Sequence, residues 1–227
     1  MKKLAIVGCT DYHENAPYND NCFDIWTVAS GLFLSGIKRI DKVFEIHRKD
    51  EYLQDTHVVI YKIEIPVYTQ KKDNKIKNNL IFPINKIIEK YGEYITNSYT
   101  YMLLFAIEQG YKEIWFYGID FETEREKTIE RPNLEYWIGY FRGKGIKIEF
   151  YEKNNLLKSK CVYGIDNILK LIKPMKNRIK KLEEKKRFYE IQYHNPQNTK
   201  EKKFDILLNL YTLNGAIEIL KNELSYI

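Results

Sequence analysis

The sequence is poor in cysteine, methionine and proline, with 3, 3 and 6 of them in 227 residues. Cys9, Cys22 and Cys161 are odd in number and show no metal-ligand spacing. That argues against a disulfide framework and a zinc site, and favours a reducing compartment. No Asp-x-Asp pair is present to hold a metal, and no cofactor is expected. No apolar run approaches the length of a membrane span. Met1-Lys-Lys-Leu-Ala-Ile-Val-Gly8 starts like a signal peptide, but its apolar run is only Leu4 to Val7, so it reads as a buried strand. A cytoplasmic protein is expected. The first strand is not followed by Gly-x-Gly-x-x-Gly, so the standard dinucleotide fingerprint is missing. Zinc-finger, RRM and helix-turn-helix signatures are missing too, and nucleic acid is not the favoured partner.

What is present is a soluble, globular composition: 44% hydrophobic and 30% charged residues, with a net charge of +6. The positive excess lies in the Lys-rich segments 71–77 and 170–187, and such runs usually form solvated faces. The length suits one α/β domain with an appendage. The pattern predicts an open, mostly parallel Rossmann-like sheet over 1–168 with helices on both faces, and a helical hairpin over 169–227.

The centre of that pattern is Ser98 to Gly145. Tyr101, Leu104, Phe105 and Ile107 recur at helical spacing and Gly110 supplies a left-handed stop. Tyr111 to Tyr117 is an aromatic, β-branched strand that ends in Gly118-Ile-Asp120. In open α/β sheets ligands bind beyond such carboxyl ends. Gly8, Thr10 and Asp11, after the first strand, are candidate ligand contacts on the same edge. Asn97 and Ser98 sit at the start of the central helix, where free N–H groups attract an anion. Further strands are expected at 23–28, 42–47 and 145–150, and apolar runs mark 56–61 and 63–68. Residues 69–80 read as a mobile surface loop and lid. Pro132 opens a helix to Gly143. In the tail, Ile206, Leu210, Leu213, Ile217, Leu220 and Leu224 alternate spacings of four and three, a coiled-coil seam. The favoured use of that seam is a dimer or tetramer contact.

The stretch 95–157 resembles the bacterial sialyltransferases of glycosyltransferase family 42. The resemblance is carried by Asn97-Ser98-Tyr-Thr-Tyr-Met102, Ala106-Ile-Glu-Gln-Gly-Tyr-Lys-Glu-Ile114 and Gly118-Ile-Asp-Phe121. It continues in Tyr136-Trp-Ile-Gly139, where the family has His-Tyr-Ile-Gly, and in Asn155-Leu-Leu157. The whole chain also looks like a group of proteins encoded by tailed bacteriophages, for which the compartment is the host cytoplasm. The resemblance implies a metal-independent transferase acting on a nucleotide-activated sugar, with Ser98 at the donor site. Tyr136 takes the place of the family's catalytic His, and a Tyr is a poor base at neutral pH. Only Gly8 of the family's first-strand loop is kept.

Two readings of the site follow. In a transferase, Asn97 and Ser98 would hold the donor phosphate, Glu135 or Asp120 would act as base and Arg131 would neutralise the leaving phosphate. In a non-catalytic binder, the same edge would sequester a nucleotide-derived defence signal. A third reading is a structural virion component assembled through the hairpin.

Overall fold

The computed structural model describes residues 2–48, 59–121, 123, 125–151, 154–159, 162–164 and 168–225. Two compact units are present, Met1–Lys158 and Ser159–Ile227. The first holds seven strands: β1 (Lys3–Val7), β2 (Phe23–Val28), β3 (Lys42–Glu45), β4 (Val67–Thr69), β5 (Asn79–Ile81), β6 (Glu113–Tyr117) and β7 (Lys147–Phe150). They form one sheet in the order β5-β4-β3-β2-β1-β6-β7, and every pair is parallel. In this unit three α-helices lie wholly among the described residues, α1 (Ile84–Tyr91), α2 (Ser98–Glu108) and α3 (Arg131–Gly143). The unit is a Rossmann-like α/β fold.

Alternation along the central strands divides the core. Leu4 and Ile6 of β1 join Trp26, Phe44, Ile114 and Phe116 against the apolar residues of α1, α2 and α3. Ala5, Val7, Ile25 and Tyr117 point the other way. Helices are expected on both faces, and the helical Ile60 lies on the face opposite α1, α2 and α3. The three α-helices share one face, while 3₁₀ turns at His13–Asn15 and Ala29–Phe33 and the buried Ile60 and Ile76 help cover the other. Right-handed crossovers explain the division. The connections that step from β1 out to β5 fall on one side, and those leading to β6 and β7 fall on the opposite side.

The central helix is not amphipathic as its spacing suggested. Met102 to Ala106 are all buried, and Tyr101 and Ile107 are half-buried. Burial on most sides removes any need for a polar stripe. The expected lid over 69–80 is corrected as well. Ile76 is buried against Ile60 and Val67, and Asn79 supplies strand β5. The Asn79 side chain donates to Val67 O at 3.0 Å and Thr69 Oγ1 at 2.7 Å and accepts from Asp73 N at 2.6 Å. Three bonds and a buried Ile hold this segment down despite its polar composition. Of the apolar run 56–61, only 59–61 lies among the described residues, with Val59 and Ile60 helical.

The second unit is a hairpin of α4 (Ile168–His194) and α5 (Lys200–Ser225). Ile206, Leu213 and Ile217 of the predicted seam are buried with Ile179 of α4, and Leu210, Leu220 and Leu224 are half-buried. Phe204, Leu208, Tyr211 and Ile219 stay exposed on another side of α5. Gly215 lies inside α5 and a Cβ there meets no atom within 4 Å. Gly215→Ala is therefore expected to stabilise the hairpin by about 0.5–1 kcal/mol, read as a raised urea midpoint at unchanged slope.

Candidate functional site

The sheet order reverses direction between β1 and β6, the switch point at which open α/β sheets form a crevice. Two glycines let the loops above it meet. The Gly8 amide donates to Tyr117 O at 2.8 Å and the Thr10 amide to Gly118 O at 3.0 Å. A Cβ on Gly8 would lie 2.2 Å from Gly118 O. Gly118 has φ +59, and a Cβ there would come within 2.9 Å of Thr10 O. Both glycines thus serve the approach of one loop to the other.

Above them a polar network runs across the edge. The Thr10 hydroxyl contacts Asp120 Oδ2 at 3.3 Å and accepts from Asp120 N at 3.1 Å. Asp120 Oδ1 accepts from Asn155 N at 3.3 Å. Asn155 O accepts from the Arg131 guanidinium at 2.8 Å, as does Lys158 O. Arg131 Nε pairs with Glu135 Oε1 at 2.8 Å, and that oxygen also accepts from Leu157 N at 2.7 Å. Thr10, Asp120, Arg131 and Glu135, all singled out in the sequence, are brought into one chain of contacts. Arg131 and Glu135 spend their charges on each other and on segment 155–158, which they tie to α3. Asp11 is exposed, and the exposed Tyr136 ring packs edge-on against Tyr94 and Trp137.

Asn97 caps α2 by accepting from Thr100 N at 2.8 Å, and its amide donates to Glu130 O at 3.0 Å. The cap is braced by Asn133, which is fully buried. Asn133 Oδ1 accepts from Thr96 N at 3.1 Å and Thr100 Oγ1 at 2.8 Å, and its amide donates to Tyr94 O at 2.8 Å. Ser98, next along, is half-buried. Tyr99 links the helix opening to the sheet edge. Its ring meets Phe121 edge-on at 6.4 Å and its hydroxyl hydrogen-bonds Cys9, which contacts Ser30 Oγ at 3.1 Å. The start of α2 and the rim at Asp120 are thus neighbours, with the Tyr99 ring between them.

Sequence reasoning missed three groups here. Burial holds the Tyr99 phenol well above its ordinary range, and the Cys9 contact adds to this. Burial also raises the Glu130 carboxyl, with Glu126 pushing the same way and Arg125 and His47 pulling back. Glu130 ends a π-helical turn, Glu126–Glu130, that runs into α3, and such turns are frequent at functional sites. The third group is Asn155. Its Oδ1 is buried and, among the described residues, has no hydrogen-bond partner. Only the Asn155-Leu-Leu157 likeness pointed there. Among the described residues, no cluster of three His, Cys, Asp or Glu side chains forms a metal site.

Comparison with solved structures finds the sialyltransferase CstII from Campylobacter jejuni in complex with a substrate analogue, CMP-3FNeuAc. It is 20% identical, with 66% of this chain and 79% of that chain covered and a TM-score of 0.44. The same enzyme in complex with cytidine-5'-monophosphate is 21% identical, with 69% and 82% covered and a TM-score of 0.44. No protein family and no curated protein matches the sequence.

Proposed function

We propose that the sheet unit binds a nucleotide-derived small molecule, a nucleotide or nucleotide sugar, in the crevice above β1 and β6. The observation that carries this reading is the orphaned Asn155 Oδ1 beside the Thr10–Asp120–Arg131 network. A buried acceptor without a donor costs roughly 1–3 kcal/mol, and a ligand hydroxyl or exocyclic amine would satisfy it. The opening of α2 at Ser98 and Tyr99 is a seat for the phosphate.

The test is Asn155→Leu. Because Oδ1 has no partner among the described residues, the variant is expected to keep the parent stability or gain up to about 1 kcal/mol. Calorimetric titration with nucleoside mono- and diphosphates and CMP- and UDP-sugars should show binding by the parent, weakened at least tenfold in the variant. No binding of any of them by the parent would end the reading.

Sugar transfer is the second reading, and Glu130 supports it. A half-buried carboxyl that keeps its proton at higher pH than usual is suited to general acid work beside Tyr99. Glu135, engaged by Arg131 and Leu157, is less free to act as a base. Mass spectrometry of each nucleotide sugar incubated with the protein separates the two readings. A donor returned intact favours the binder, and conversion abolished by Glu130→Gln favours the transferase.

A further inference from the structure

The net charge of this protein is not shared between its units. Positions 1–158 hold 23 basic and 23 acidic residues, so the basic segment 71–77 is balanced elsewhere in that unit and the net +6 resides in 159–227. Helix α4 alone carries nine basic and three acidic side chains.

A helix face that serves only solubility mixes its signs and pairs them at i,i+4. Among the described residues, the ion pairs of α4 are Lys186 with Glu190, at 3.7 Å, and Glu183 with Lys221 of α5, at 2.7 Å. Among the described residues, Lys173, Lys176, Arg178, Lys180, Lys181 and Lys185 have no carboxylate partner, and all six are exposed. Like charges instead stack on like: Lys176 lies one turn before Lys180, and Lys181 one turn before Lys185. Lys170 adds a positive charge in the first turn, where the helix dipole disfavours it. Folding gains nothing from this arrangement. It is suited to a partner that brings many negative charges in a row.

We propose that α4 is a nucleic-acid-binding surface that holds the phosphate backbone, without reading bases, through Lys173, Lys176, Arg178, Lys180, Lys181 and Lys185. From Lys173 to Lys185 the helix spans about 18 Å, matching about five phosphates along one strand. Cations clustered on one helix gain affinity by releasing the counterions condensed on the polyanion. An anionic membrane is the weaker candidate. A surface-bound helix buries an apolar face, and no large apolar side chain is exposed between Lys173 and Arg187. The surface belongs to the hairpin unit and does not depend on the nucleotide reading of the sheet unit.

The test is fluorescence anisotropy with a labelled single strand and a labelled duplex of mixed sequence, between about 50 and 200 mM salt. The parent should bind both without sequence preference. For the duplex, log K should fall against log salt with a slope of about −4 to −5. The triple variant Lys176→Gln, Lys180→Gln, Lys181→Gln should bind at least tenfold more weakly at the lowest salt, with the slope reduced to about −2 and the circular dichroism spectrum unchanged. Failure of the parent to bind at the lowest salt, or a triple variant with parental affinity and slope, would overturn the proposal. So would binding to phosphatidylserine vesicles with none to either oligonucleotide. None of these outcomes bears on the calorimetric titration with nucleotides.

Discussion

Asn133→Leu is expected to destabilise the sheet unit by about 3–5 kcal/mol, read from urea unfolding followed by tryptophan fluorescence. The leucine has nearly the right volume for the fully buried site. It cannot replace the acceptor that Thr96 N and Thr100 Oγ1 share. Two donors are then stranded, each at roughly 1–3 kcal/mol. Tyr94 O suffers less, because the Trp137 indole N–H still donates to it at 2.8 Å. Thr100→Val removes one of the two donors and its need together, so it should cost clearly less than Asn133→Leu. Equal losses in the two variants would show that packing volume, and not the shared acceptor, governs this position. Asn133→Leu should also abolish the proposed nucleotide binding, since Asn133 braces the residues that cap α2.

Gly8→Ala is expected to cost about 3 kcal/mol, an unusually large loss for one methyl group. The new carbon would lie 2.2 Å from Gly118 O and 2.5 Å from Ile119 Cγ1. Ile119 is itself buried, and the backbone carbonyl of Gly118 is held in place. Hydrogen bonds on both sides, Gly8 N to Tyr117 O and Thr10 N to Gly118 O, prevent the two loops from parting. Differential scanning calorimetry of the variant against Gly139→Ala gives the contrast. A Cβ at Gly139 meets nothing within 4 Å, so the exposed helical site should gain stability where Gly8 loses it. A Gly8→Ala protein as stable as its parent would mean that the loops are not in contact as described.

The two glycines also show what a reading from residues alone leaves out. Gly8 and Gly118 were expected to contact a ligand because each ends a strand at the ligand edge. They do end those strands, yet their lack of a side chain serves loop-to-loop contact. Arg131 and Glu135 are similar. Their spacing of four on a helix is legible as an ion pair or as a clamp and a base. Only the return of segment 155–158 under α3 shows that both are engaged in holding it.

Local pattern by itself determined the strands that begin and end near 4–7, 23–28, 42–47 and 111–117, the helices closed by Gly92 and Gly143, and the hairpin with its inner seam. These follow from periodicity and from glycine and proline chemistry, which act over a few residues. Tertiary structure alone decided which face of the sheet carries α1, α2 and α3, why α2 is buried on most sides, and that segment 69–80 is pinned by Asn79 and Ile76. It alone joined Thr10 to Asp120 across 110 positions and left Asn155 Oδ1 buried without a donor among the described residues. Burial and hydrogen-bond satisfaction depend on neighbours brought together by the fold, and no local window of sequence contains them.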